Sequence, residues 1–125
     1  MFNIKNTFSS FSVDDLEEAY KFYSETLGLK VTKDEMGFLN IDLSGGGRAV
    51  IYPKEKEHKP AVFTVLNFVV KDIEKAVEVL INKGIIFEQY SGDIATDEKG
   101  IMRENGPLIA WFKDPAGNIL SIIEE

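Results

Sequence analysis

The chain has no cysteine and a single histidine in 125 residues. The first absence removes disulfides, thiolate metal sites and a cysteine nucleophile together, and leaves no marker of redox compartment. The second bears on metals, because catalytic zinc, nickel or iron centres need about three convergent His or carboxylate ligands. Positive charge is also scarce, with 14 Lys and Arg against 21 Asp and Glu and a net charge of −7. A surface of that sign repels phosphate backbones, so nucleic acid is not an expected partner, and its long-range pull suits a cationic organic ligand. No stretch approaches the roughly 18 apolar residues of a membrane span. The opening MFNIKNTFSS has neither the basic start nor the apolar run of a signal peptide. No membrane partner is expected, and the cytoplasm is the expected location.

What is present points to a folded chain. A hydrophobic fraction of 44% and a charged fraction of 28% exclude the disordered and fibrous classes. The length fits one domain over residues 1–125. Within it, FSVDDLEEA at 11–19 returns as FVVKDIEKA at 68–76, an internal duplication. Each copy leads into a helical spacing of apolar residues: Leu16, Ala19, Tyr20, Tyr23 and Leu27 first, then Ile73, Ala76, Val77, Leu80 and Ile81. The spacing predicts helices near 14–27 and 72–83, with those residues on the buried faces. Asp14 followed by Glu17 has capping-box spacing, and Gly28 and Gly84 stand where a left-handed residue would end each helix. Short β-prone runs follow each helix, at 29–32, 38–43 and 49–52, then at 85–90, 108–112 and 119–123. Ser44 to Gly47 and Asp114 to Asn118 supply turns between strands. Each half is therefore expected to run strand, helix, three strands, with module one at about 1–53, a linker at 54–61 and module two at 62–125. The polar stretch 91–106 is too long for a simple hairpin loop and reads equally as a binding segment or as structural filler.

Three segments in this order carry a resemblance: the duplicated starts, FYSETLGLKV at 22–31 and FKDPAGNILSI at 112–122. The chain resembles the glyoxalase/bleomycin resistance/dioxygenase, or vicinal oxygen chelate, superfamily. The resemblance implies an α+β fold of two tandem βαβββ modules forming an open, cup-shaped, eight-stranded sheet with flanking helices. It also implies a ligand on the concave face and, commonly, a homodimer. In the family's enzymes a divalent metal is held by His, Glu or Gln on that face. The corresponding positions here read Phe8, Tyr52, Val65 and Ser121. Those side chains offer at most a phenol and a hydroxyl, so no metal and no other cofactor is expected. Glu35, Asp42 and Glu104 could form an all-carboxylate site for magnesium or manganese, but none falls at a family position. His58, in the linker, reads as a solvated loop histidine.

If Phe8 faces the concavity, alternation brings Ser10 and Ser12 with it, and Val65 brings Asn67 and Val69. Tyr52 and Ser121 join by the resemblance, and Trp111 is a candidate wall. The expected ligand-binding set is thus Phe8, Ser10, Tyr52, Val65, Asn67, Trp111 and Ser121. Apolar walls with a few hydroxyl and amide groups suit a small organic molecule. No nucleophile–base set or phosphate-cradling loop stands out, and no catalytic residue is assigned. The leading expectation is a metal-independent small-molecule binding protein resembling the bleomycin resistance branch. One alternative is a metal-dependent glyoxalase-type lyase, isomerase or dioxygenase with ligands elsewhere. Another is a ligand-free dimeric interaction module whose cup is filled by Phe8, Val65 and Trp111.

Overall fold

A computed structural model describes residues 2–125, which divide into two compact units, 2–59 and 60–125. In the first, β1 (Ser9–Val13), α1 (Leu16–Lys21), β2 (Lys30–Lys33), β3 (Leu39–Asp42) and β4 (Arg48–Pro53) follow in order. In the second they are β5 (Thr64–Val70), α2 (Ile73–Asn82), β6 (Ile101–Met102), β7 (Ile109–Lys113) and β8 (Ile119–Glu124). The sheets have the same topology, β1-β4-β3-β2 and β5-β8-β7-β6, with the first pair parallel and the rest antiparallel. The fold is the α+β tandem of βαβββ modules, each with one helix and one four-stranded sheet.

Period-two alternation explains which face each sheet buries. In unit one Phe11 and Val13, Leu39 and Ile41, and Ala49 and Ile51 are buried beside Ala19 and Tyr23 of the helical segment. In unit two Leu66, Ala110, Phe112, Leu120 and Ile122 are buried with Ile73 and Val77 of α2, which packs against β7 and β8. The residues between them point to the opposite face, where the candidate site lies. Not all of the expected helix stripe is inside: Tyr20 is 38% and Ile81 42% exposed. Each helix is short enough for a narrow stripe, Ala19 with Tyr23 and Ile73 with Val77, to fill the space above its sheet.

The first helix starts one residue later than the capping-box spacing suggests. Asp15 is its N-cap, accepting from the Glu18 N–H at 3.1 Å, while Asp14 accepts only from the neighbouring Asp15 N–H. Asp72 plays the same part for α2 toward the Lys75 N–H. Helix α1 then widens into a π turn over Phe22–Thr26, where the Leu27 N–H bonds the Phe22 carbonyl, so the span expected as one α-helix has two geometries. Gly28 and Gly84 end the two segments at φ +72° and +94°.

A larger departure concerns the second module. Residues 85–90 form no strand; the edge position of that sheet is taken by Ile101–Met102, inside the stretch expected as loop. The 85–90 run keeps one ladder-like bond, Glu88 N–H to the Trp111 carbonyl, and otherwise serves as packing, with buried Phe87 set 5.5 Å from Phe112. What orders 91–106 instead is Asp97. Its carboxylate accepts the Lys99 and Ile101 N–H groups and the Arg103 guanidinium, and Arg103 and Lys99 both reach Glu74 on α2. The stretch is thereby strapped to the helix. Gly100 closes the turn at φ +89° with Phe87 so near that an added Cβ would stand 2.6 Å from the Phe87 Cβ.

The linker is also fixed. The Lys54 N–H bonds the Val13 carbonyl and His58 Nδ1 lies 2.8 Å from Ser12 Oγ, so His58 is half-buried and hydrogen-bonded, not a solvated loop histidine. At the other end of unit two, buried Asp114 accepts from the Ala116 and Asn118 N–H groups, and the Asn118 side chain accepts the Ala61 N–H. The Asp-Pro-Ala-Gly-Asn turn is thus a structural clasp.

Two outcomes test this account of the second module. Gly100→Ala combines a positive φ with a backbone-proximal clash and should cost about 1–3 kcal/mol in urea unfolding. Gly92→Ala, with φ +81° but open space, should cost less. Partial burial pulls the Asp97 carboxyl upward, yet its hydrogen bonds from Ile101, Arg103 and Lys99 outweigh this and hold it below the ordinary 3.8. Its stabilising contribution is therefore complete above that value and lost as pH falls through the lower folded value. In an NMR titration the Lys99 and Ile101 amides should report a midpoint below 3.8, and Asp97→Asn should abolish it.

Candidate functional site

In unit one the outward residues of three strands meet in rows. Ser10 is registered with Val50, and Val50 with Asn40; Ser12 is registered with Tyr52. Phe8, just ahead of β1, and Phe38, just ahead of β3, add two rings at the margins. Together they line a cavity of about 260 Å³, so three of the expected ligand residues, Phe8, Ser10 and Tyr52, are brought to one place. The Phe38 and Tyr52 rings lie 6.3 Å apart, tilted by 54°, and the Arg48 guanidinium sits 4.5 Å above the Phe8 ring. That placement is a cation–π contact, worth about 0.5–1 kcal/mol at an exposed site.

The polar rim of this cavity is a chain of bonds. Asp34 accepts from the Met36 and Phe38 N–H groups and from the Asn40 side-chain amide at 3.0 Å, and Asn40 in turn accepts from Arg48 at 3.4 Å. The Asn40 bond, aided by those backbone donors, holds the Asp34 carboxyl below its ordinary value. Sequence reasoning missed Phe38, Asn40, Arg48 and Val50. The alternation of Leu39 with Asn40 and of Ala49 with Val50 contained the signal, since every second residue of β3 and β4 had to share the face of Phe8 and Ser10.

Unit two presents a second row. Asn67 on β5 pairs with Ser121 on β8, which pairs with Trp111 on β7. The fully buried Ser121 hydroxyl donates to the Asn67 amide oxygen. Trp111 is half-buried on this outward face, with Tyr90 edge-on at 5.3 Å. Burial pushes the Tyr90 phenol upward, the neighbouring Glu88 charge adds to this and Lys113 opposes it, so the phenol stays protonated at neutral pH. Val65 falls at the register shift between Thr64 and Leu66, beside the row and not in it.

A metal does not fit the residues at the family's ligand positions. Phe8 has no donor atom and carries a guanidinium on its ring, a like charge against any cation. Val65 has no donor either, and the Ser121 hydroxyl is committed to Asn67 inside the protein. Only the Tyr52 phenol remains. Among the carboxylates considered from sequence, Asp42 pairs with Lys30 at 3.6 Å, and Glu35 and Glu104 are exposed. Among the described residues no group of three or more His, Cys, Asp or Glu is placed to hold a metal ion. None of the described helices is long and apolar enough to cross a membrane.

Comparison with known proteins agrees with this architecture. No curated protein matches the chain. Among solved structures, TnmS3, an antibiotic binding protein from Streptomyces sp. CB03234, superposes with a TM-score of 0.70 at 22% identity, covering 98% of each chain. A member of the glyoxalase/bleomycin resistance protein/dioxygenase superfamily from Sphaerobacter thermophilus gives 0.69 at 24% identity over 96% of this chain and 98% of its own. A glyoxalase/bleomycin resistance protein from Streptomyces sp. CB03234 gives 0.63 at 22% identity over 94% and 99%. At such identities the likeness is one of fold. The family model for the Glyoxalase/Bleomycin resistance protein/Dioxygenase superfamily matches residues 7–122, and with two βαβββ modules carrying its sequence signature the chain belongs to that superfamily.

Proposed function

We propose that this protein binds a small organic molecule on the outward faces of its sheets and does so without a metal ion. The observation that carries the reading is the unit-one cavity. It is walled by Phe8, Phe38, Val50 and Tyr52 with hydroxyl and amide groups at its edge, and its volume suits a compact ligand. The donor set favours binding over metal chemistry, because a Lewis acid needs several convergent ligands and here a single phenol is on offer. The antibiotic-binding description of TnmS3 supports an organic ligand. The row of Asn67, Ser121 and Trp111 extends the same reading to unit two: Trp111 supplies a rigid apolar surface and Asn67 an exposed amide beside it. Val65 contributes apolar area at its margin. Sequestration, not turnover, is the activity this arrangement serves.

The reading includes a homodimer. Each unit leaves strands with one unpaired edge, and Val62 and Phe63, ahead of β5, are 92% and 66% exposed. Such edges and apolar surface are ordinarily covered by association. Light scattering at high micromolar concentration should give twice the 14.0 kDa chain mass. A strict monomer would contradict it.

The metal claim is tested by thermal unfolding. Zn(II), Ni(II), Mn(II) or Fe(II) should leave the midpoint almost unchanged, whereas an organic ligand at a hundred times its dissociation constant should stabilise by about 2.7 kcal/mol. Phe8→Asp should abolish the organic effect by removing an aromatic wall and setting a carboxylate against the Arg48 guanidinium that now lies over the Phe8 ring. Stoichiometric metal binding with metal-dependent lyase or dioxygenase turnover would overturn the reading.

A further inference from the structure

Of the residues lining the unit-one cavity, two are charged at neutral pH, Asp34 and Arg48, and they are not equivalent. The Asp34 carboxylate is surrounded by donors: one oxygen takes the Met36 and Phe38 N–H groups, the other the Asn40 amide. Its charge is already satisfied by the turn it closes. The Arg48 guanidinium has no such partner. Its hydrogen bond runs from one nitrogen to the neutral Asn40 oxygen, and its face lies on the Phe8 ring. Asp42, opposite Arg48 in the β3–β4 register, is instead paired with Lys30. Among the described residues no carboxylate lies within ion-pair distance of Arg48. An arginine presents five N–H donors, so most of this one's fork is left for something else.

We propose that the ligand of this cavity is an aromatic anion: a planar ring held among Phe8, Phe38 and Tyr52, with a carboxylate or similar oxyanion received by the free side of the Arg48 guanidinium. The inference rests on the binding reading above and assigns the ligand's charge and shape. The Phe38 and Tyr52 rings, 6.3 Å apart and tilted, already touch each other, so a ligand ring meets the pair edge-on and does not insert between them. Asn40 acts as a positioning residue, fixing the guanidinium plane so that two parallel N–H groups can meet two oxygens. The chain's net charge of −7 pulls the other way. Screening decides between them, because the Debye length is about 8 Å at physiological ionic strength, so a ligand in contact with Arg48 feels that cation far more than the distant acidic surface.

The test uses three probes of one shape, 2-naphthoate, 2-naphthamide and 2-naphthylmethylammonium, titrated into the full chain with amide NMR detection. Naphthoate should bind about five- to tenfold more tightly than the amide, a charge-assisted bond discounted for exposure. The ammonium should bind most weakly, and the shifts should centre on Phe8, Ser10, Phe38 and Val50. Arg48→Gln should bring naphthoate down to the amide's affinity and leave the amide unchanged. Arg48→Lys should restore part of the gap, and Phe8→Ala should weaken all three alike. Equal binding of the three probes, or a preference for the ammonium, would overturn the anion assignment while leaving an organic-binding cavity in place. Shifts confined to Trp111 and Asn67 would likewise overturn it. If none of the three binds the wild-type chain at millimolar concentration, the binding reading itself fails with it.

Discussion

Everything that places the site follows from alternation along β4, the strand at the middle of the first sheet. Ala49 and Ile51 must face the helical segment to bury their surface beside Tyr23, and this forces Arg48, Val50 and Tyr52 to the other side. A one-residue slip would bury an arginine and a tyrosine and expose the core, so the register is strongly specified. Because β4 pairs with β1 on one side and β3 on the other, the same constraint sets the directions of Ser10 and Asn40. The cavity lies on the face of the sheet opposite its one helix.

The second module obeys the same rule with a different cost. Its outward row, Asn67, Ser121 and Trp111, places a hydroxyl in a fully buried position, and the hydrogen bond to Asn67 is what makes that position tolerable. The edge strand is where the modules part company. In the first, β2 follows its helix directly; in the second the chain runs past Phe87, turns at Asp97 and returns as β6. The charges on Arg103 and Lys99 tie that detour to α2, so the long polar stretch is anchored to the helical side of unit two.

Much of this was legible in the sequence because periodicity and duplication are local signals. The two helices and five of the six β-prone runs that follow them come from those signals, the two turns from their residue types, and the superfamily from the resemblance carried by three segments in order. Even the error at the first cap carried its own correction, since aligning FSVDDLEEA with FVVKDIEKA sets Asp15, not Asp14, against the capping Asp72. The misread strand at 85–90 has a physical reason: an apolar run suits a strand or a packed extended segment equally well, and ladder bonds, not residue types, decide which. The site was half legible. Phe8 and Tyr52 followed from the resemblance and Ser10 from alternation off Phe8, whereas Arg48 and Asn40 depended on which outward residues of separate strands become neighbours, a matter of register. His58 meets Ser12 across 46 positions of chain, beyond any local pattern.

The central claim is that the outward face of unit one holds an organic molecule where the superfamily's enzymes hold a metal. It is tested most directly by a crystal structure of the protein purified from its native host without chelators, with anomalous data collected at the zinc, nickel, iron and manganese edges. The account predicts electron density for a planar organic molecule against Phe8, Phe38 and Tyr52, with no anomalous peak beside it. An anomalous peak coordinated by residues of either sheet's outward face would contradict it.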